Sequence, residues 1–279
     1  MLNITKKQFA FGDMVAVFAT IEGATQLILV PNGCEGTLND EKIAGVSPLG
    51  CRIDNEPMIH VALSGDGYAR DFTSGATMRN SDTAFALRLV SQELENTGEA
   101  VRVEAFPSFN LSCISPFDRF HDPHKLVLHK FQNNWSGEGR LYSVTTDCLA
   151  FEPSWSGLGI RTEKWSQTGT IPARGQLPFV ALEDLAHGVC WAVAMEAPAS
   201  WVLETVFRNG SLSLGGGMGD FLSAHWRRTL SKGETLRTDK AFLTVVKGGL
   251  NAACDRLIKA YDNPQDCKPS EYDLPILYN

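Results

Sequence analysis

The sequence is short of most features that mark a specialised chain. No apolar run approaches the roughly 18–20 residues that span a bilayer, which argues against a membrane partner. Lys6 and Lys7 are followed by an apolar stretch that Gly12 and Asp13 interrupt. That leaves no h-region, so no signal peptide is expected. No basic cluster exceeds a few residues, and the formal net charge is -7. A phosphate backbone needs a basic face, so nucleic acid is not expected as a partner either. The seven cysteines are odd in number and widely spaced, with no C-x-x-C among them. Such spacing points to buried thiols in a reducing cytoplasm, not to a disulfide frame or a zinc site.

Catalytic signatures are equally scarce. There is no G-x-S-x-G elbow and no H-E-x-x-H. His121, His124 and His129 cluster in "HDPHKLVLH", but on a strand residues 124 and 129 face opposite ways, and no Cys or carboxylate completes a ligand set. Glu183 and Asp184 are adjacent, so on a strand they also face apart and cannot form an acid/base pair. A turn or a buried hydrogen-bonding role suits them better. Gly215 to Gly219 is glycine-rich, but no following helix and no Lys-Ser/Thr pair make it a phosphate cradle; a tight bend or bulge is expected. No metal or cofactor is expected.

What is present describes a large β protein. The 279 residues are 43% hydrophobic and 20% charged, enough for a sizeable core. Apolar runs at 14–21 and 26–30 flank Glu22-Gly23, which predicts a hairpin. Residues 85–93 and 100–105, also read as strands, flank Asn96-Thr-Gly98, and the alternation of apolar and charged residues in the second suits a half-solvated strand. Residues 201–207 and 212–214 flank Asn209-Gly210, a pair whose tolerance of positive φ makes it a strong hairpin signal. The run Val189 to Met195 is apolar throughout, so it is expected to be buried on both faces. One helix is predicted over 249–263, where Leu250, Ala253, Cys254, Leu257, Ile258 and Tyr261 recur at three- and four-residue steps. Pro264 stops it, and the polar segment to Pro269 reads as a linker. Of the six tryptophans, Trp191, Trp201 and Trp226 read as core strand residues. Trp135, Trp155 and Trp165 fall in Gly/Ser-rich sequence. There an indole either packs between sheets or stacks on a sugar ring.

Several segments occur in an order that resembles a known family: "NWSGEGRL" (134–141), "LAFEPSW" (149–155), "GTIPARGQLPFVALED" (169–184), "SWVLETVFRNG" (200–210) and "GGGMGDFLSAHWRRTLSKGETLRTDKAFLTVVKGG" (215–249), with a weaker match at "SGATMRNSDTAFALRL" (74–89). They resemble the N-terminal half of melibiase-type α-galactosidases, glycoside hydrolase family 36. The likeness covers the C-terminal half of the chain best; the first 65 residues match only as generic β structure. It implies a large β-supersandwich of antiparallel sheets at 1–248, a helix and linker at 249–269, and at 270–279, in "DLPILYN", the first strand of a (β/α)₈ catalytic barrel. In such barrels the catalytic carboxylates sit at strand ends. The resemblance therefore implies no catalytic residue here and an inactive chain on its own. It implies a non-catalytic domain that covers the barrel mouth and supports a homo-oligomer, in a cytoplasmic enzyme that cleaves terminal α-linked galactose. Arg79 and Asn80 in a "TMRN" turn, with Trp135 and Trp165 in loops, are the candidate contacts to the α-galactoside. The alternative is a free-standing carbohydrate-binding β-sandwich. A mutarotase-like enzyme would need His225 to converge with Glu204 or Asp220.

Overall fold

A computed structural model describes the strands between residues 4 and 95 by their backbone, and residues 96, 100–111, 125–151, 160–208 and 211–259. The described strands run β1 (Ile4–Phe11), β2 (Met14–Ile21), β3 (Ala24–Pro31), β4 (Gly36–Leu38), β5 (Glu41–Ile43), β6 (His60–Leu63), β7 (Ala69–Asp71), β8 (Gly75–Asn80), β9 (Arg88–Glu95), β10 (Val101–Ala105) and β11 (Pro107–Leu111). They continue with β12 (Leu126–Asn134), β13 (Gly137–Thr145), β14 (Ile160–Gln167), β15 (Gly175–Gln176), β16 (Phe179–Asp184), β17 (Val189–Met195), β18 (Trp201–Arg208), β19 (Ser211–Met218), β20 (Arg228–Leu230), β21 (Thr235–Arg237) and β22 (Ala241–Lys247). Two helices are described, α1 (Phe221–Ala224) and α2 (Leu250–Ile258).

Two large sheets dominate. One has seven strands in the order β1-β2-β3-β11-β19-β18-β14. The other has nine, β13-β12-β16-β17-β22-β9-β21, with β15 against β12 and β8 against β9. A smaller sheet, β20-β10-β6-β7, and the pair β4-β5 complete the pattern. Pairing is antiparallel except where β11 meets β3. The two large sheets bury a shared core between them. Phe109, Leu111, Trp165, Trp201, Leu203, Phe207 and Leu214 come from the first sheet. Leu128, Val180, Leu182, Trp191, Val193, Leu243 and Val245 come from the second. The predicted β-supersandwich of antiparallel sheets is thus the architecture observed.

The run at 189–195 is buried at every position because α2 roofs the face turned away from the sandwich core. Odd positions such as Trp191 and Val193 enter the core, while Cys190, Ala192 and Ala194 pack with Leu250, Ala253 and Leu257. The spacing of those three helix residues is the apolar stripe that the sequence shows. The helix is described over 250–258; residues 260–263, the linker and the 270–279 segment lie outside the described residues.

The Glu22-Gly23 and Asn209-Gly210 signals both mark antiparallel hairpins, β2–β3 and β18–β19. The strands that flank Asn96-Thr-Gly98 do not pair with each other. β9 belongs to the nine-stranded sheet and β10 to the four-stranded one. The cause is Asn96, which is buried and tied elsewhere. Its Nδ2 donates to Leu230 O at 2.8 Å, its N–H donates to Glu234 O, and its carbonyl accepts from Gly233 N at 2.7 Å. These bonds fasten Asn96 to the β20–β21 turn, away from β10. The glycine-rich run lies inside β19. A Cβ on Gly217 would sit 2.4 Å from Ser108 N, so only glycine allows β11 to approach this closely. The register between β11 and β19 shifts at the same point, between Pro107 and Phe109.

Candidate functional site

The sandwich carries a small open cavity on the outer face of the seven-stranded sheet. Lys164 of β14 lies opposite Glu204 of β18, and Glu204 lies opposite Gly215 of β19, so the three share one row on one face. The next row toward the β18 N-terminus holds Val202 and Gly217. Because the β19 positions are glycines, the row has no side chains on one side and a hollow of about 140 Å³ remains. Phe106, Lys164, Glu204, Met218 and Asp220 line it. At about 30 Å³ per water, this is room for four or five waters, or one small hydroxylated group.

Its electrostatics are fixed by Asp220. Lys164 Nζ lies 2.5 Å from Asp220 Oδ2, and Asp220 Oδ1 accepts from Ser223 N at 2.6 Å. Asp220 is therefore the N-cap of α1 as well as the partner of Lys164. Burial alone would push its carboxyl up, but the bonds from Lys164 and Ser223 outweigh burial and hold it below the ordinary value. A glycosidase acid must instead have a raised pKa and give up its proton to the leaving oxygen. Asp220 cannot fill that role. The cavity offers acceptors and one ammonium donor, which suits hydroxyl recognition.

α1 is a second helix that the periodicity did not predict, since four residues are too few to show a period. The signal that could have revealed it is Asp220 ahead of Phe221-Leu-Ser223. His225, which a mutarotase-like centre would need, ends α1 with φ 53° and packs edge-on to Phe221 at 6.0 Å. It does not line the cavity that Glu204 and Asp220 share.

The sequence-predicted contacts scatter. Trp135 occupies the two-residue turn of the β12–β13 hairpin, with Asn134 paired to Gly137, and is 94% exposed. A tryptophan so fully in water contributes nothing to the core. Trp165 is not in a loop. It lies in β14, is 5% exposed, packs in the sandwich core, and has Lys130 Nζ 5.1 Å from its ring centre. The Gly/Ser-rich flanks concealed a strand that pairs along its whole length with β18. As a buried residue it cannot stack on a sugar. Arg79 and Asn80 are not in a turn either; they close β8, opposite Leu89 and Arg88 of β9. The structure therefore does not bring these four residues together in one described site. Trp155, His121 and His124 lie outside the described residues. Trp191 and Trp201 are core, and Trp226 is half-buried against it.

Glu183 and Asp184 divide as their alternation requires. Asp184 turns the β16–β17 loop, accepting from Ala186 N and His187 N. Glu183 points to the opposite face and meets His129, with Nε2 at 3.1 Å from Oε2. His129 meets Ser143 Oγ through Nδ1 at 2.8 Å. Sequence reading missed this line of three because it depends on the registers of β12, β13 and β16. Among the described residues, no group of three or more His, Cys, Asp or Glu is placed to hold a metal ion, and no helix is long and apolar enough to cross a membrane.

No family model matches the chain, and no curated protein does. Solved structures do. An α-galactosidase from Lactobacillus brevis matches at 12% identity with a TM-score of 0.60, over 91% of this chain and 41% of its own. The galactosidase domain of an α-galactosidase–sucrose kinase matches at 12% and 0.61, over 91% and 43%. A family 36 α-galactosidase from Geobacillus stearothermophilus, in complex with stachyose, matches at 13% and 0.58, over 90% and 42%. At such identities the likeness is one of fold. The chain spans well under half the length of these proteins.

Proposed function

We propose that the chain is the β-supersandwich domain of an α-galactosidase-like glycoside hydrolase, and that the chemistry belongs to a catalytic barrel outside these residues. The supporting observation is the pairing of coverages. About nine-tenths of this chain follows the fold of solved α-galactosidases, yet it accounts for only about 42% of one of them. The ordered segments from "NWSGEGRL" to "AFLTVVKGG" support the same reading.

In this reading the parent enzyme removes terminal α-linked galactose by a retaining mechanism with two carboxylates, both on the barrel. The sandwich covers the active site and supports a homo-oligomer. Free thiols at Cys148, Cys190 and Cys254 suit a cytoplasmic setting. Trp135 is the contact we assign to the sugar, because its ring is presented to solvent on a two-residue turn. Arg79 and Asn80 remain proposed contacts; Trp165 does not.

The test is hydrolysis of p-nitrophenyl-α-galactoside and raffinose. The 279-residue chain should show no turnover, and the polypeptide that joins it to a barrel should. Trp135→Ala in the joined protein should raise KM with little change in folding. Turnover by the chain alone contradicts the proposal. Calorimetric titration of the chain with melibiose addresses a free-standing binding module, which the solvent-exposed Trp135 and the small cavity would favour. Millimolar or tighter binding without a barrel selects that reading.

A further inference from the structure

The nine-stranded sheet carries a second constellation, on the face opposite the sandwich core. In the β12–β13 hairpin His129 lies directly opposite Ser143, and on its other side opposite Ala181 of β16. Glu183 is two residues further along β16, on the same face. The three side chains form a continuous line, with Ser143 Oγ 2.8 Å from His129 Nδ1 and His129 Nε2 3.1 Å from Glu183 Oε2. Ser143 is exposed, whereas His129 is 7% exposed.

From this geometry we propose that Ser143 is a nucleophile toward short-chain acyl esters, with His129 as its base and Glu183 as the residue that positions the base. A carboxylate accepts only, so His129 donates from Nε2 to Glu183, and the lone pair of Nδ1 is left to accept the Ser143 hydroxyl proton. Burial holds His129 below its ordinary pKa against the opposing pull of Glu183, so the ring is neutral at pH 7, the form a base requires. Glu183 is itself fixed. Leu250 N donates to its Oε2 at 3.3 Å, at the N-terminus of α2 where the helix dipole favours an anion. A Cβ on Gly249 would meet its Oε1 at 2.7 Å, so the glycine leaves room for the carboxylate there. Among the described residues, Arg256 of α2 also reaches the sheet, donating to Val245 O at 2.8 Å, and two thiols turn to this face, Cys190, opposite Glu183 on β17, and Cys254 on α2. Burial pushes both up, so both are neutral. Beside Ser143 on the same face, Leu141 is 47% exposed and lies opposite half-buried Phe131. That pair offers an apolar floor for an acyl chain.

The step balances without a further reactant. Ser143 Oγ bonds to the acyl carbon and its proton passes to His129. The bond from carbon to the alcohol oxygen breaks, and the imidazolium returns the proton to the departing alcohol. Water then attacks the acyl-serine with the same base, releasing the acid and restoring the hydroxyl. Among the described residues β13 is the edge strand of its sheet and Ser143 is exposed, so water meets the oxyanion, which restricts the reaction to activated esters.

The intact chain is treated with a fluorophosphonate probe and the modified peptide is mapped by mass spectrometry, alongside p-nitrophenyl acetate hydrolysis. One label per chain at Ser143 is expected, lost in Ser143→Ala, with a burst of one equivalent of p-nitrophenolate. His129→Gln should slow labelling at least a hundredfold, in the range general bases supply, while circular dichroism shows an unchanged β spectrum. Glu183→Gln should slow it less and move the midpoint of its pH profile, which a purely structural role would not do. Should His129→Gln unfold the chain, the comparison of Ser143 with exposed Ser136 in the unaltered chain still decides. Labelling of Ser143 no faster than Ser136, or labelling unaffected in a folded His129→Gln chain, overturns the proposal.

Discussion

Replacing Gly217 with alanine tests the close approach of β11 to β19 in the seven-stranded sheet. A Cβ there would lie 2.4 Å from Ser108 N, 2.8 Å from Pro107 Cα and 2.9 Å from Pro107 C. All three are backbone atoms, so no side chain can swing aside. An ordinary contact begins near 3.4 Å, which requires β11 to retreat by about 1 Å. Ser108 is fully buried and its hydroxyl donates to Asp239 O at 2.6 Å, so a retreat also strains that bond. Overpacking of this kind costs about 1–3 kcal/mol, occasionally more. Removing a glycine also narrows the unfolded ensemble and returns about 0.4–1 kcal/mol. The net loss should be about 1–2 kcal/mol, or roughly 2–8 °C in Tm for a chain of this size. Gly137→Ala is the control. Its Cβ would meet only Asn134 O at 3.8 Å, so that variant should be neutral or slightly more stable. Urea denaturation followed by tryptophan fluorescence measures both. Equal midpoints for the two variants would refute the argument that β19 is glycine-rich because β11 lies against it.

Three further outcomes follow from the packing and the charges. Asp220→Ala removes the cap of α1 and the partner of Lys164, and should cost about 0.5–2 kcal/mol; Asp220→Asn, which keeps the cap, should cost less in the same denaturation experiment. Leu257→Ala opens the interface between α2 and the outer face of β17 and should cost about 2–5 kcal/mol, read as a lower urea midpoint. Burial keeps the folded His129 pKa below its ordinary 6.5, with Glu183 opposing. Below 6.5 the unfolded chain therefore binds more protons, and stability falls as pH is lowered, by up to about 1.4 kcal/mol per unit, until the folded pKa is passed. Thermal melts from pH 7 to 5 should show that fall, and His129→Gln should flatten it.

The parts of the fold legible in the sequence are those set by local chemistry. Asn209-Gly210 marks a turn that both its residues tolerate. The apolar run at 189–195 marks a strand with two covered faces, and the spacing of Leu250, Ala253 and Leu257 marks the helix that covers one of them. What could not be read depends on partners distant in sequence. Asn96 looks like a turn residue until its bonds to Leu230 and Glu234 are seen. Trp165 looks like a loop residue because its neighbours are small and polar, yet β18 pairs with it across its whole strand. The Ser143–His129–Glu183 line was hidden for the same reason. Each residue alone is ordinary, and only the registers of three strands align them. The cavity at Lys164, Glu204 and Asp220 likewise needs a crossing of β14, β18 and the turn into α1.

The central claim is that this domain serves a glycosidase without performing its chemistry. The most direct measurement is turnover of p-nitrophenyl-α-galactoside by the 279-residue chain beside the same chain joined to the proposed catalytic barrel. The account predicts no turnover in the first and turnover in the second. Hydrolysis by the 279 residues alone, or none by the joined protein when it is folded, would contradict it.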